Sequence, residues 1–290
     1  MVCTVALLPD RQTRARLRQA AKQASRGVHA IPLHLASDWA ELHLAVRETN
    51  PVLAFLDPHP SATGAQTRLI RGFVALFPQV TPIVYGTFDK YPPGEMIQLA
   101  SAGVREAVPD RNGEEVTVLM QLLRNPPAPQ LVDAVLAGLP AGTPSEVVQA
   151  VECVIRRAPE WLTPASLARA CMCDISTLNR RLRVAGFPSP NRLIVWGRLW
   201  IVARLLERRI LSVAEIAARL GYGSDAALRG QLARYAECSP RQLRRSDAVE
   251  YLLQRFRSRC ASDVETPGSI HSDESCTAAF GFAPQRSVPT

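Results

Sequence analysis

Side chains that read the edges of a nucleic-acid duplex are few: asparagine pairs with adenine and arginine with guanine, each through two hydrogen bonds. A helix face carrying them falls near residue 180. If Leu178 and Leu182 take the buried stripe of a 3.6-residue period, then Ser176, Asn179, Arg180 and Arg183 face outward. About fifty residues further on, Asp225, Ala226, Arg229 and Gly230 occupy the corresponding face, with Gln231 beside them as a further reader. Arg192, Arg198, Arg234, Arg241, Arg244 and Arg245 are expected to meet phosphates, contacts that fix register without reading sequence. Trp196 and Trp200 are assigned to the core rather than to base stacking.

The charge supports this chemistry because it is local. The 290-residue chain has 34 Lys+Arg against 26 Asp+Glu, a net charge of +8. Residues 1–127 hold 13 basic and 11 acidic residues, whereas residues 161–245 hold 15 and 5, and all 15 are arginine. A planar guanidinium fork suits phosphate oxygens and guanine edges, so the cationic stretch implies a polyanionic partner.

The elements that would position these side chains nearly repeat. Leu162-Thr163 corresponds to Leu211-Ser212, and Leu167-Ala168 to Ile216-Ala217, at an offset of 49. Leu182 corresponds to Leu232, and Ser189-Pro190 to Ser239-Pro240, at an offset of 50. Each copy opens on a helix start: Thr163 as N-cap with Pro164 at the first helical position, and Ser212 with Glu215 as a capping box. The pattern predicts helices over 165–170 and 213–220, breaks at 171–174 and 221–224, and second helices over 175–185 and 225–236. Gly221 suits the left-handed end of its helix. Two short helices joined by so short a turn form a helix-turn-helix unit. Between the copies one long helix is predicted over 190–208, with Leu193, Trp196, Trp200, Ala203 and Leu206 as its packing stripe. A further helix, capped by Thr143, Pro144 and Glu146, carries Val147, Val151 and Ile155 on one face.

Residues 143–245 resemble the DNA-binding domain of the AraC/XylS family of bacterial transcription regulators. The residues that carry the likeness are Leu162-Thr-Pro-Ala-Ser-Leu-Ala168, Ser176-Thr-Leu-Asn-Arg180, Ser189-Pro190, Ser212-Val-Ala-Glu-Ile-Ala-Ala-Arg-Leu-Gly-Tyr222 and Ser239-Pro-Arg-Gln-Leu-Arg244. The resemblance implies a seven-helix module whose linking helix holds both recognition helices on one side of DNA. They would enter successive major grooves roughly 34 Å apart. It implies RNA polymerase as a partner and requires no cofactor. The second copy departs from the family: Leu228 and Leu232 stand where phenylalanines are usual, and Gly230 and Ala233 where basic residues are frequent. Base reading by that helix is weakened, with Arg229 and Gln231 as compensation or phosphate grip as its main task.

The first 125 residues follow another rhythm. Apolar runs at 2–8, 28–35, 52–56, 82–85 and 104–108 alternate with helical patterns at 11–23, 38–48, 65–77, 94–102 and 113–124. Five such units predict a doubly wound, flavodoxin-like α/β domain with a five-stranded parallel sheet, its second strand, with Pro32 inside it, at an edge. The pattern is similar to response-regulator receiver domains. On that likeness Asp57 falls at the phosphoacceptor, Thr87 at the switch hydroxyl and Asp10 at one of two acids that hold a metal. Pro9 replaces the other acid, and Asp110 stands where the family has a lysine. Phosphoryl transfer needs cations around the developing charge. The expectation is therefore regulation without phosphorylation of Asp57, through dimerisation, a partner or a small effector.

Composition then divides the chain into an α/β regulatory domain (1–125), a Pro/Gly-rich linker (126–142), the DNA-binding domain (143–245) and a segment (246–290) that finishes a helix and, after Arg259, turns into a polar, disordered tail. No apolar stretch approaches the roughly 18 residues of a membrane span, and the N-terminus lacks the basic region of a signal peptide. Seven scattered cysteines read as free thiols in a reducing cytoplasm. Cys171 and Cys173 have no second ligand pair for zinc, and His29, His34, His43, His59 and His271 form no metal spacing. No G-x-S-x-G, H-E-x-x-H or P-loop pattern is present. The chain is read as a cytoplasmic, non-enzymatic protein that binds double-stranded DNA and no membrane, and dimerises through its first domain. The rival readings are a phospho-Asp response regulator, a flavodoxin-like enzyme, and a protein–protein adaptor with lost DNA affinity.

Overall fold

The computed structural model describes residues 3–265, apart from 26–29, 59–64, 89–92, 112, 161, 210 and 246. The first part is a single parallel sheet of β1 (Thr4–Leu7), β2 (Leu33–Ala36), β3 (Leu53–Leu56), β4 (Thr81–Gly86) and β5 (Glu106–Pro109), in the order β2-β1-β3-β4-β5. This is the flavodoxin-like, doubly wound order. Strands β1, β3 and β4 are buried along their whole length, which is why they read as unbroken apolar runs. The edge strand β2 starts at Leu33, so Pro32 stays outside it and offers its carbonyl to the Thr4 N–H at 2.9 Å.

Helices α1 (Arg11–Ala24) and α5 (Val116–Arg124) cover one face, where Leu17, Ala20, Leu119 and Leu123 meet Phe55, Ile83 and Tyr85. Helices α2 (Trp39–Thr49), α3 (Ala65–Leu76) and α4 (Pro93–Ala102) cover the other, where Leu42, Val46, Ile70, Phe73 and Leu99 meet Val5, Ala54 and Val84. The predicted strands and helices of this part all form, with their ends moved by a few residues.

The remainder is helical: α6 (Gln130–Ala137), α7 (Ser145–Arg156), α8 (Pro164–Ala170), α9 (Ile175–Val184), α10 (Pro190–Arg208), α11 (Val213–Arg219), α12 (Asp225–Ala236), α13 (Pro240–Leu243) and α14 (Ala248–Glu265). Seven of these, α7 to α13, fall within 143–245, as predicted. Two expectations need correction. The segment read as a linker contains α6, whose Leu131, Val132 and Val135 are buried in the helical core once Pro129 has set the extended entry. Helix α14 runs on past Arg259 to Glu265, burying Leu252, Leu253, Phe256 and Cys260. The rest of the segment read as a disordered tail, 266–290, lies outside the described residues.

Helix α10 is the axle of this part. Its predicted stripe is buried, but so are Ile194, Leu199, Ile201, Val202 and Leu205, because other helices pack around it on every side. Trp196 and Trp200 belong to the core, with ring centres 5.3 and 5.1 Å from that of Phe256. Helix α7 begins without its expected cap: the Thr143 hydroxyl donates to the Pro140 carbonyl at 2.6 Å, and Pro144 takes the N-cap position.

The two parts are joined by more than the chain. The Asn50 amide donates to the Arg156 carbonyl (3.2 Å) and to Glu160 (2.9 Å). The Pro127 carbonyl accepts from both the Thr81 hydroxyl (2.7 Å) and Arg156 (3.1 Å).

Candidate nucleic-acid interface

Each helix pair is fixed by side chains that satisfy the free N–H groups of its helix starts. Thr163 and Ser166 form a capping box at α8, and Ser212 and Glu215 form one at α11. Asp174 caps α9 by accepting from the Thr177 N–H at 2.7 Å, and Ser224 caps α12 by accepting from the Ala227 N–H at 3.1 Å. Between the helices of each pair the backbone turns through a left-handed residue, Met172 in one and Gly221 in the other. Leu178, Leu182, Leu228 and Leu232 are buried, which sets the opposite faces of α9 and α12 toward solvent.

On α9 that face carries Asn179, Arg180 and Arg183, all exposed, and none has a hydrogen-bond or ion-pair partner among the described residues. Ser176 is exposed on the same helix, but its hydroxyl donates to Asp174 at 2.6 Å and completes the cap. On α12, Ala226, Arg229, Gly230 and Ala233 are exposed, and a Cβ added at Gly230 would meet nothing within 4 Å. Arg229 pairs with Asp225 one turn back, at 3.2 Å. Gln231 lies off this face: its side-chain oxygen accepts from the Tyr222 hydroxyl and ties α12 to the preceding turn.

The expected phosphate contacts separate into two groups. Arg192, Arg234, Arg241 and Arg245 are exposed, and Arg241 and Arg245 have no partner among the described residues. Arg198 is a correction: it is only 6% exposed, and its guanidinium donates to the Glu160 carbonyl at 3.3 Å. Burial lowers its pKa, and it cannot reach a phosphate from inside the helical core. Arg244 is half-buried and donates to the Leu211 carbonyl at 2.7 Å, while its own carbonyl accepts from Arg209, so it locks α13 to the start of the second pair.

In the sheet domain, Asp57 follows β3 at the C-terminal edge, where doubly wound sheets build their sites. A Cβ added at Gly86 would lie 3.0 Å from an Asp57 carboxylate oxygen, so the acid sits close against the end of β4. Asp10 is committed as the N-cap of α1, accepting from the Thr13 N–H at 2.8 Å. Thr87 is exposed directly after β4. Asp110 is not left as bare negative charge, because Arg16 of α1 pairs with it and lies 3.3 Å from Glu115. Glu115, only 3% exposed, accepts from the N–H groups of Arg111 and Gly113 and from the Tyr85 hydroxyl, each at 3.0 Å. Sequence spacing gave no sign of this network, because Arg16 and Tyr85 lie far along the chain from Asp110 and Glu115.

Residues 167–246 match the family model described as a helix-turn-helix domain, a segment that starts inside α8 and ends just past α13. It takes in both helix pairs and covers just over a quarter of the chain. The match supports a DNA-binding regulator of the AraC type. No curated protein matches the chain. Among the described residues no helix is long and apolar enough to cross a membrane.

Proposed function

We propose that the chain is a sequence-specific transcription regulator that reads DNA with α9 and α12 and is controlled through its sheet domain without phosphorylation of Asp57. The observation that carries this reading is the free face of α9. Asn179, Arg180 and Arg183 stand exposed on the second helix of a helix-turn-helix pair, with no partner among the described residues. Three side chains with unused hydrogen-bond donors on one face of a recognition helix suit a partner that supplies acceptors.

The two recognition helices divide the work. Helix α9 reads base edges through Asn179 and Arg180. Helix α12 offers a small-residue face of Ala226, Gly230 and Ala233, which lets its backbone come close to the duplex, with Arg229 as its cation. Arg192, Arg234, Arg241 and Arg245 fix the register on phosphates. The protein acts in the cytoplasm as a homodimer through its first domain and contacts RNA polymerase.

The pairing of Asp110 with Arg16 supports control without phosphate, since that guanidinium is engaged by a carboxylate instead of being held ready for a phosphoryl group. Selection of bound duplexes from a random-sequence pool tests the reading. It predicts recovery of a two-part motif whose halves lie about one helical turn apart.

A further inference from the structure

The second helix pair faces DNA on one side and leans on the sheet domain with the other. Arg219, the last residue of α11, sets its guanidinium carbon 4.0 Å from the centre of the Phe77 ring, beyond the end of α3. Beside it opens a cleft of about 560 Å³ between the two parts of the molecule, lined among others by Arg47, Gln79, Pro159, Leu211 and Arg219. Its charge is unbalanced. Neither Arg47 nor Arg219 has an acidic partner among the described residues, and one terminal nitrogen of Arg219 is buried without an acceptor. Burial, and then the like charge of Arg47, push Arg219 down to about 10. Gln79 is 4% exposed, and its amide makes no hydrogen bond among the described residues.

The groups around the cleft do not cancel this charge. The carboxylate of Glu215, on the rim, accepts from the Ser212 N–H at 2.7 Å and serves the cap of α11. His43 packs its ring 5.3 Å from that of Phe77, and burial together with Arg219 and Arg47 lowers its pKa, which favours the neutral imidazole, so it does nothing to offset the two arginines. A buried donor without an acceptor costs free energy, and a guanidinium fork accepts a carboxylate or phosphate in two parallel hydrogen bonds. Two such forks, an amide and apolar walls make a site for a charged head with an apolar body.

We propose that this cleft binds a small amphiphilic organic anion, with Arg219 and Arg47 holding its oxyanion head, Gln79 bonding to it, and Pro159 and Leu211 flanking its apolar body. Because the cleft is walled by both parts of the chain, the bound anion bridges the sheet domain to the second helix pair. The proposal deepens the reading of the sheet domain as the regulatory part of a DNA-binding protein. Its test uses no DNA, so a failure of DNA binding leaves it standing.

The full chain is titrated with phenylacetate and with phenyl phosphate, and with neutral phenylacetamide as control, following the His43 imidazole resonance by NMR. At least one anion saturates and shifts His43, and the head group that binds tells whether the site prefers carboxylate or phosphate. Phenylacetamide does not bind. Arg47→Gln, a change on the exposed side of α2, and Arg219→Gln each raise the Kd by about tenfold or more, the effect of losing one charge-assisted bond. Three results overturn the proposal: neither anion saturating at millimolar concentration, the amide binding as tightly as the anions, or a Kd that Arg47→Gln leaves unchanged.

Discussion

Met172 and Gly221 stand at the same place in the two helix-turn-helix pairs, and both have left-handed backbone, with φ of 53° and 71°. The turns are closed alike. The Met172 and Cys173 N–H groups donate to Arg169 and Ala168, as those of Gly221 and Tyr222 donate to Ala218 and Ala217. One copy therefore uses the residue suited to this geometry, and the other holds a methionine there at a cost of roughly 1–2 kcal/mol. Met172 is 86% exposed and contributes little packing. Met172→Gly is expected to raise stability by about 0.5–1 kcal/mol, since relief of the strain outweighs the added freedom of the unfolded chain. Urea denaturation checks this, and a lower midpoint for the variant would count against the shared turn.

The crossing of α7 and α10 depends on Gly197. A Cβ there would lie 2.7 Å from the Val154 carbonyl oxygen, a backbone atom that cannot swing aside. Gly197→Ala should push the helices apart and destabilise the helical part by about 1–3 kcal/mol. Thermal unfolding measures it, and an unchanged midpoint would mean that the crossing is looser than described.

Acid should loosen the sheet domain through Glu115. Burial alone would raise its pKa, but the N–H groups of Arg111 and Gly113 and the Tyr85 hydroxyl prevail and hold the carboxyl below its ordinary 4.5. A carboxyl with a lowered folded-state pKa contributes its full stability above the unfolded value and loses it as the pH falls through the folded one. Glu115→Gln should cost about 2–3 kcal/mol at neutral pH and flatten the acid limb of the stability curve. A variant with an unaltered acid limb would remove Glu115 from this role.

Much of this architecture could be read from residue types and spacing. The strands were legible because two-sided burial leaves unbroken apolar runs such as Leu53–Leu56, and the helix pairs because Thr163, Ser212, Glu215 and Gly221 mark their ends. What escaped depends on contacts between distant parts of the chain. Arg198 has the composition of a surface residue, and only the packing around α10 puts it inside. The prolines around 126–129 suggested a linker, yet the apolar side chains of α6 find a core supplied by α7, α10 and α14. The partnership of Arg16 with Asp110 and the approach of Arg219 to Phe77 each join elements separated by most of a domain or more, and neither has a local signature.

Within the candidate interface, Arg180 and Arg241 should behave differently. Arg180→Ala is expected to abolish preference for one base of the site, a discrimination of about 1–3 kcal/mol, while other positions keep theirs. Arg241→Ala should weaken binding equally on all sequences and reduce the slope of log affinity against log salt by about 1. Competition binding on single-base variants of a selected duplex distinguishes them. A uniform loss on Arg180→Ala would make that residue a phosphate contact.

The most direct test of the central claim is the salt dependence of duplex binding by the full chain, measured by mobility shift on a selected site. If α9, α12 and the exposed arginines lie along the DNA and neutralise about six phosphates, log affinity falls linearly with log salt with a slope of about −5. A chain that shifts no duplex at low salt, or one whose affinity stays flat as salt rises, would contradict the account.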